Sequence, residues 1–209
     1  MIHAAKRRLA FLGTVFAALA LLAGCASSRL VSQQANPDYV GKPLKSVIVV
    51  GVTADEIVRR TFEDRVVALL AKRGIKGIPG YAAVGTRGRV EEAQLRQAIA
   101  KSGAEGVLIT RVTRIERSST TVPGATVAVS YGWGGFYGYY SGVWQTVDVA
   151  PQTITGPTWT VTETRLFDAR SGALAWTGMV DTGETDQFNA ALTQYIHVIF
   201  DAMVNDRVL

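Results

Sequence analysis

Six consecutive residues, Val47-Ile48-Val49-Val50-Gly51-Val52, are apolar, and five of them are β-branched. A strand with one wet face alternates apolar and polar residues, so an unbroken run of this kind belongs to a strand covered on both sides. That requirement calls for helices above and below a sheet. The next residues supply one: Thr53-Ala54-Asp55-Glu56 matches a capping box, and Val58, Phe62, Val66 and Leu69 follow at helical spacing. Arg59, Arg60, Glu63, Asp64 and Lys72 fall opposite that stripe, and Gly74 suits the C-cap, so the spacing predicts a helix over about 55–73.

The rest of the chain continues the alternation. A short strand is expected near Ile75 to Ala82, then a turn. The glycines at 74, 77 and 80 lack the Gly-Lys-Ser/Thr ending of a phosphate-binding loop. Glu91 to Ser102, with Leu95, Ala98 and Ile99 on one side and Gly103 beyond, reads as a second helix, and Val107 to Glu116 as a strand. After Pro157, strands over Thr158 to Phe167 and Ala173 to Asp181 flank Asp168-Ala169-Arg170-Ser171-Gly172, a hairpin turn. A last helix from about Asp186 to Asp206 aligns Phe188, Leu192, Tyr195, Ile196, Ile199 and Met203. The expected fold is α/β, with α+β as the alternative: a mixed sheet packed by about three helices, β-α-β-α-β followed by an antiparallel hairpin and a C-terminal helix, in one domain over 46–209.

One stretch resists this reading. Ser118 to Val147 holds no charge, and Tyr131 to Trp144 packs seven aromatics and five glycines into fourteen positions. Glycine disfavours helix, and no period marks a strand, so 131–144 is expected to be an irregular loop between strands near Ala125 to Ser130 and Val143 to Val149. On that reading a Gly-Ser replacement of 132–142 leaves the domain folded.

The amino-terminal end carries Lys6-Arg7-Arg8, then an uncharged apolar run from Leu9 to Ala23. At about fifteen residues it falls short of the roughly twenty that span a bilayer, and it has the order of a secretory signal. Leu22-Ala23-Gly24-Cys25 resembles the lipobox of bacterial lipoproteins. That resemblance implies cleavage of residues 1–24, lipid on Cys25 and, with Ala26 following, the periplasmic face of the outer membrane. Residues 26–45, polar and without a period, are expected to form a flexible tether. Once Lys6, Arg7 and Arg8 leave, the 22 Lys and Arg fall to 19 against 17 Asp and Glu, a net charge of +2 and no nucleic-acid footprint. The sole cysteine is the lipidation candidate, so no internal disulfide forms.

Two further features, the Gly/Tyr/Trp segment and the hairpin from Leu166 to Gly178 with its Asp168, Gly172 and Trp176-Thr177-Gly178, resemble those of small lipoproteins of Gram-negative envelopes. The front half, with Ala104-Glu105-Gly106-Val107-Leu108-Ile109, is similar to the α/β domain of the TolB amino-terminal region, curli-secretion lipoproteins and lipoprotein activators of peptidoglycan synthases. Neither resemblance brings a catalytic motif or a cofactor.

The mature chain would keep one histidine, His197, and no free thiol, which leaves no multi-histidine or cysteine zinc site. Asp201 lies four residues on, but no Gly-x-Ser-x-Gly accompanies the pair. Glu163, Asp168, Asp181 and Glu184 lie on or beside the hairpin and read as solvated strand-end charges. Trp159 and Trp176 read as packing residues. The expectation is a non-enzymatic, lipid-anchored adaptor whose Tyr131, Trp133, Phe136, Tyr137, Tyr139, Tyr140 and Trp144 meet an envelope protein or glycan. The alternatives are a membrane-active oligomer that uses 118–147 in the curli-secretion manner, and a hydrolase built on carboxylates or His197.

Overall fold

The structure, a computed structural model, describes residues 28–85, 91–117, 135–143, 158–185 and 187–209. In chain order the elements are β1 (Ser28–Ala35), β2 (Ser46–Val52), α1 (Glu56–Lys72), β3 (Lys76–Pro79), α2 (Gly80–Ala83), α3 (Glu92–Ser102), β4 (Gly106–Arg117), α4 (Phe136–Val143), β5 (Thr158–Asp168), β6 (Leu174–Gly183) and α5 (Phe188–Asn205). The six strands form one sheet in the order β1-β6-β5-β4-β2-β3. β2 runs parallel to β3 and β4, and the β4-β5-β6-β1 pairs are antiparallel. The mixed α/β sheet is therefore the one expected, with β2 buried on both faces.

On one face, Phe62, Val66 and Leu70 of α1 and Tyr195, Ile199 and Met203 of α5 pack on Val47, Val49, Leu108, Leu166, Trp176 and Val180. On the other, Leu95 and Ile99 of α3 and Phe136 and Tyr140 of α4 pack on Ile48, Val50, Val107, Ile109 and Phe167. Alternate side chains of each strand thus feed two cores.

Several expectations change. Residues 28–35, read as part of a tether, form the edge strand β1, whose amides and carbonyls pair with β6. An edge strand exposed from Arg29 to Gln34 has little apolar signature to read. The irregular loop expected over 131–144 contains α4, so the domain has five helices among the described residues rather than three. Gly138 costs about 1 kcal/mol within a helix. Phe136 and Tyr140, one helical turn apart and both buried, outweigh that cost. Val143, expected to start a strand, ends α4, and the rest of that strand and the one near 125–130 lie outside the described residues. The short strand read to Ala82 stops at Pro79 and gives way to α2.

The cap of α1 is Asp55, which accepts from Ile57 N–H at 2.8 Å and Val58 N–H at 3.1 Å. Thr53 Oγ1 accepts from the Asp55 amide at 3.3 Å instead of closing a capping box. The buried stripe of α1 is also displaced: Arg59 and Glu63, expected at the surface, are 3% and 0% exposed. Phe188 has moved the other way and is exposed on α5.

Candidate functional site

The hairpin and the aromatic helix, separate features in the sequence, meet in the fold. Asp168 Oδ1 accepts from the amides of Arg170 at 3.0 Å and Ser171 at 2.7 Å and from the Ser171 hydroxyl at 2.9 Å. Its carbonyl accepts from Gly172 N–H at 2.9 Å, and Gly172 sits at φ +72°, where a side chain would be strained. The turn so formed presents the Gly172 carbonyl to Phe136 N–H, at 2.8 Å, at the first residue of α4. Asp168 is therefore a turn former rather than a solvated strand-end charge.

From there α4 runs over the sheet. The Phe136 ring lies 5.5 Å from the Phe167 ring and 4.9 and 5.9 Å from those of Tyr137 and Tyr140. Tyr139 stands 5.4 Å from Phe167 and donates its hydroxyl to Glu163 Oε2 at 2.8 Å. Arg111, opposite Glu163 across the β4-β5 ladder, donates to the same oxygen at 2.8 Å. Arg165 donates Nε and Nη2 to Glu163 Oε1 at 2.9 and 2.8 Å and places its guanidinium 4.4 Å from the Tyr139 ring centre. Glu163 is 2% exposed, so here too the expectation of a solvated strand-end charge fails. Strand pairing sets Arg111 beside it, and the two-residue period of β5 puts Arg165 on the same face.

The electrostatics follow from this packing. Burial opposes the charge on Glu163, but Arg165, Arg111 and the Tyr139 hydroxyl together outweigh it and hold the carboxyl below its usual range. Burial first, and then the Glu163 charge, push the Tyr139 phenol well above its usual value against the pull of the arginines. The Arg111 guanidinium is held more firmly protonated, as Tyr139 and Glu163 outweigh its own burial. Near neutral pH Glu163 is therefore a carboxylate, Tyr139 a phenol and Arg111 a guanidinium ion. The cluster ties α4 to β4 and β5.

Of the seven aromatics expected to form a contact surface, Phe136 and Tyr140 are core residues, which removes them from any outward face. Tyr139 is committed to Glu163, and Tyr137 is half-buried with the Arg96 guanidinium 3.5 Å from its ring centre. Tyr131, Trp133 and Trp144 lie outside the described residues, as does Cys25. His197 is exposed, and Asp201 pairs with Arg73 at 2.6 Å rather than with the histidine. Asp181, on the same sheet face as Glu163 by the β5-β6 register, pairs with Arg29 of β1 at 3.0 Å, and Glu184 is exposed.

Sequence reasoning missed two buried polar groups. Glu63 Oε1 accepts from Gly51 N–H at 3.0 Å and Arg59 Nε at 2.9 Å, and Oε2 accepts from Tyr81 N–H at 2.8 Å, which ties the end of β2 to the start of α2. At Gly80 a side chain would bring its Cβ within 2.6 Å of the Val49 carbonyl and at Gly77 within 2.9 Å of the Val67 Cα, so these two glycines serve packing, whereas Gly74, at φ +74°, serves the turn after α1. The only sequence signal was the Arg59-x-x-x-Glu63 spacing. On the α5 face, the hydroxyls of Thr110 and Thr164 lie 2.9 Å apart, and the Tyr195 hydroxyl hydrogen-bonds to Thr164, its pKa pushed up to about 12 by burial.

Comparison with known proteins gives fold-level likeness only. No protein-family model and no curated protein matches the chain. Among solved structures, a PelC dodecamer from Paraburkholderia phytofirmans superposes with a TM-score of 0.43 at 13% identity, over 84% of this chain and 96% of that one. The lipoprotein GNA1162 from Neisseria meningitidis superposes at 0.41 and 16% identity, over 77% and 98%. The hypothetical protein CT253 from Chlamydia trachomatis does so at 0.36 and 9% identity, over 80% and 96%.

Proposed function

We propose that this chain is a lipid-anchored protein of the bacterial envelope that acts as a non-catalytic adaptor, held by lipid on Cys25 at the periplasmic face of the outer membrane. The observation that carries the adaptor reading is the tie between α4 and the sheet. Its polar groups are bonded to one another, Glu163 accepting from Arg111, Arg165 and Tyr139. What they secure is the centre of the aromatic segment to which Tyr131, Trp133 and Trp144 also belong. Fixing a segment lowers the entropy lost when its side chains engage a partner.

The lipid anchor rests on the basic residues, the apolar run and Leu22-Ala23-Gly24-Cys25. Among the described residues no helix is long and apolar enough to cross a membrane. Two variants test the proposal. Cys25→Ser is expected to lose the acyl mass in intact-mass spectrometry and to leave the membrane fraction; a wild-type protein without acyl chains refutes the anchor. The triple variant Tyr131→Ser, Trp133→Ser, Trp144→Ser is expected to keep its thermal midpoint within a few degrees while losing crosslinks to its envelope partner. Undiminished crosslinking refutes the adaptor surface.

A further inference from the structure

We infer that the protein stands on the membrane by one end of its sheet, with the strand axis upright and the Ser28 end seated in the lipid headgroups. The inference rests on the lipid anchor proposed above and adds an orientation to it. Cys25 is three residues from Ser28, which at full extension is about 10 Å. Ser28 begins a strand paired along its length with β6, so the anchor cannot hold the domain at a distance.

The register defines what else lies at this end. Ser28 pairs with Thr182, Thr182 with Thr160, and Thr160 with Ile115, which makes one row across four strands. β2 runs parallel to β4 and finishes at the same end, where α1 begins, and α5 starts there after β6. Eight large apolar side chains are exposed among the described residues: Ile115 stands in the row of Ser28, Ile57 and Phe188 lie in the first turns of the two helices that start toward this end, and Leu30, Val31 and Val112 stand about midway along their strands. The other two, Val40 and Val204, lie toward the opposite end, where the exposed side chains of Lys42, Lys45, Glu105 and Arg170 stand in water. Isolated exposed apolar residues are ordinary, but Ile57, Ile115 and Phe188 stand at the end to which the anchor ties the domain. Arg29, Asp55, Glu56 and Glu184 are exposed there too, so the end rests at headgroup depth and does not enter the hydrocarbon.

The anchor itself makes the test simple, because an acylated Cys25 leaves any introduced cysteine as the only free thiol. Lipidated Ile115→Cys, Phe188→Cys, Arg170→Cys and Val204→Cys proteins, each labelled with a polarity-sensitive fluorophore, would be reconstituted in phosphatidylethanolamine–phosphatidylglycerol vesicles with brominated acyl chains. Bromine is expected to quench the label at least twofold at 115 and 188 and to leave 170 and 204 unchanged. Equal quenching at all four positions, or none at 115 and 188, overturns the orientation while the anchor stands. Labelling of the wild-type protein at Cys25 shows a free thiol and overturns the anchor, and the orientation with it.

Discussion

Trp176 shows how a single side chain can explain a motif. Its ring is fully buried and lies across Gly178, where an added Cβ would come within 2.2 Å of a ring atom. The Trp-x-Gly spacing is thus two residues on one face of β6, the second left bare so that the first can lie flat. Its Nε1–H donates to Asp206 Oδ2 at 2.7 Å just past the end of α5. Trp176→Ala is expected to cost about 3 to 5 kcal/mol in urea unfolding, whereas Trp176→Phe, which loses chiefly that hydrogen bond, should cost far less. Glu163 makes a different prediction, one that depends on pH. Its folded pKa lies below the unfolded value, so its contribution is present above the unfolded value, about 4.3, and is lost as pH falls through the folded one. Removing one partner of a buried ion pair costs about 3 to 5 kcal/mol. Glu163→Gln should show a penalty of that order at pH 7, and the gap between variant and wild-type urea midpoints should narrow below about pH 4. A gap that does not change with pH would mean that the carboxyl titrates alike in the folded and the unfolded chain, so that its partners do not favour its charge.

At the scale of elements, α4 and β1 are the two that composition concealed. Burying Phe136 and Tyr140 contributes on the order of 1.5 to 3 kcal/mol each, against about 1 kcal/mol lost at Gly138. Gly-Ser replacement of 132–142, which composition alone suggests the domain would tolerate, is therefore expected to lower stability by about 3 to 6 kcal/mol, a large part of a usual domain's total. A thermal midpoint unchanged by that replacement would remove α4 from the core. The signal for α4 was present in Phe136-x-x-x-Tyr140, one turn of helix, but five glycines in fourteen residues masked it. β1 left no such trace. Ser28-Arg29-Leu30-Val31-Ser32-Gln33-Gln34-Ala35 owes its strand to the open edge of β6, and no local preference in those eight residues replaces that template.

For the molecule as a whole, the two envelope readings differ in what the domain does without its lipid. An adaptor with two closed cores is expected to be monomeric in detergent-free buffer when made from residue 26 onward, with its mass read by light scattering. A membrane-active assembly using 118–147 would instead associate or require detergent. The sequence alone determined the elements with strong periods: the β2 run, the spacing of α1, α3 and α5, and the hairpin with its Asp168 and Gly172. It did so because strand and helix write their periods directly into the order of apolar residues, and turns into glycine. Tertiary structure decided which charges are buried and which aromatics are core. Arg59 and Glu63 are interior because β2 and α2 offer amides to the carboxylate, and Glu163 is interior because the β4-β5 register sets Arg111 across from it, where Arg165, two residues on along β5, completes the pairing. The environment of a polar side chain depends on residues far away along the chain, and only the packed sheet brings those residues together.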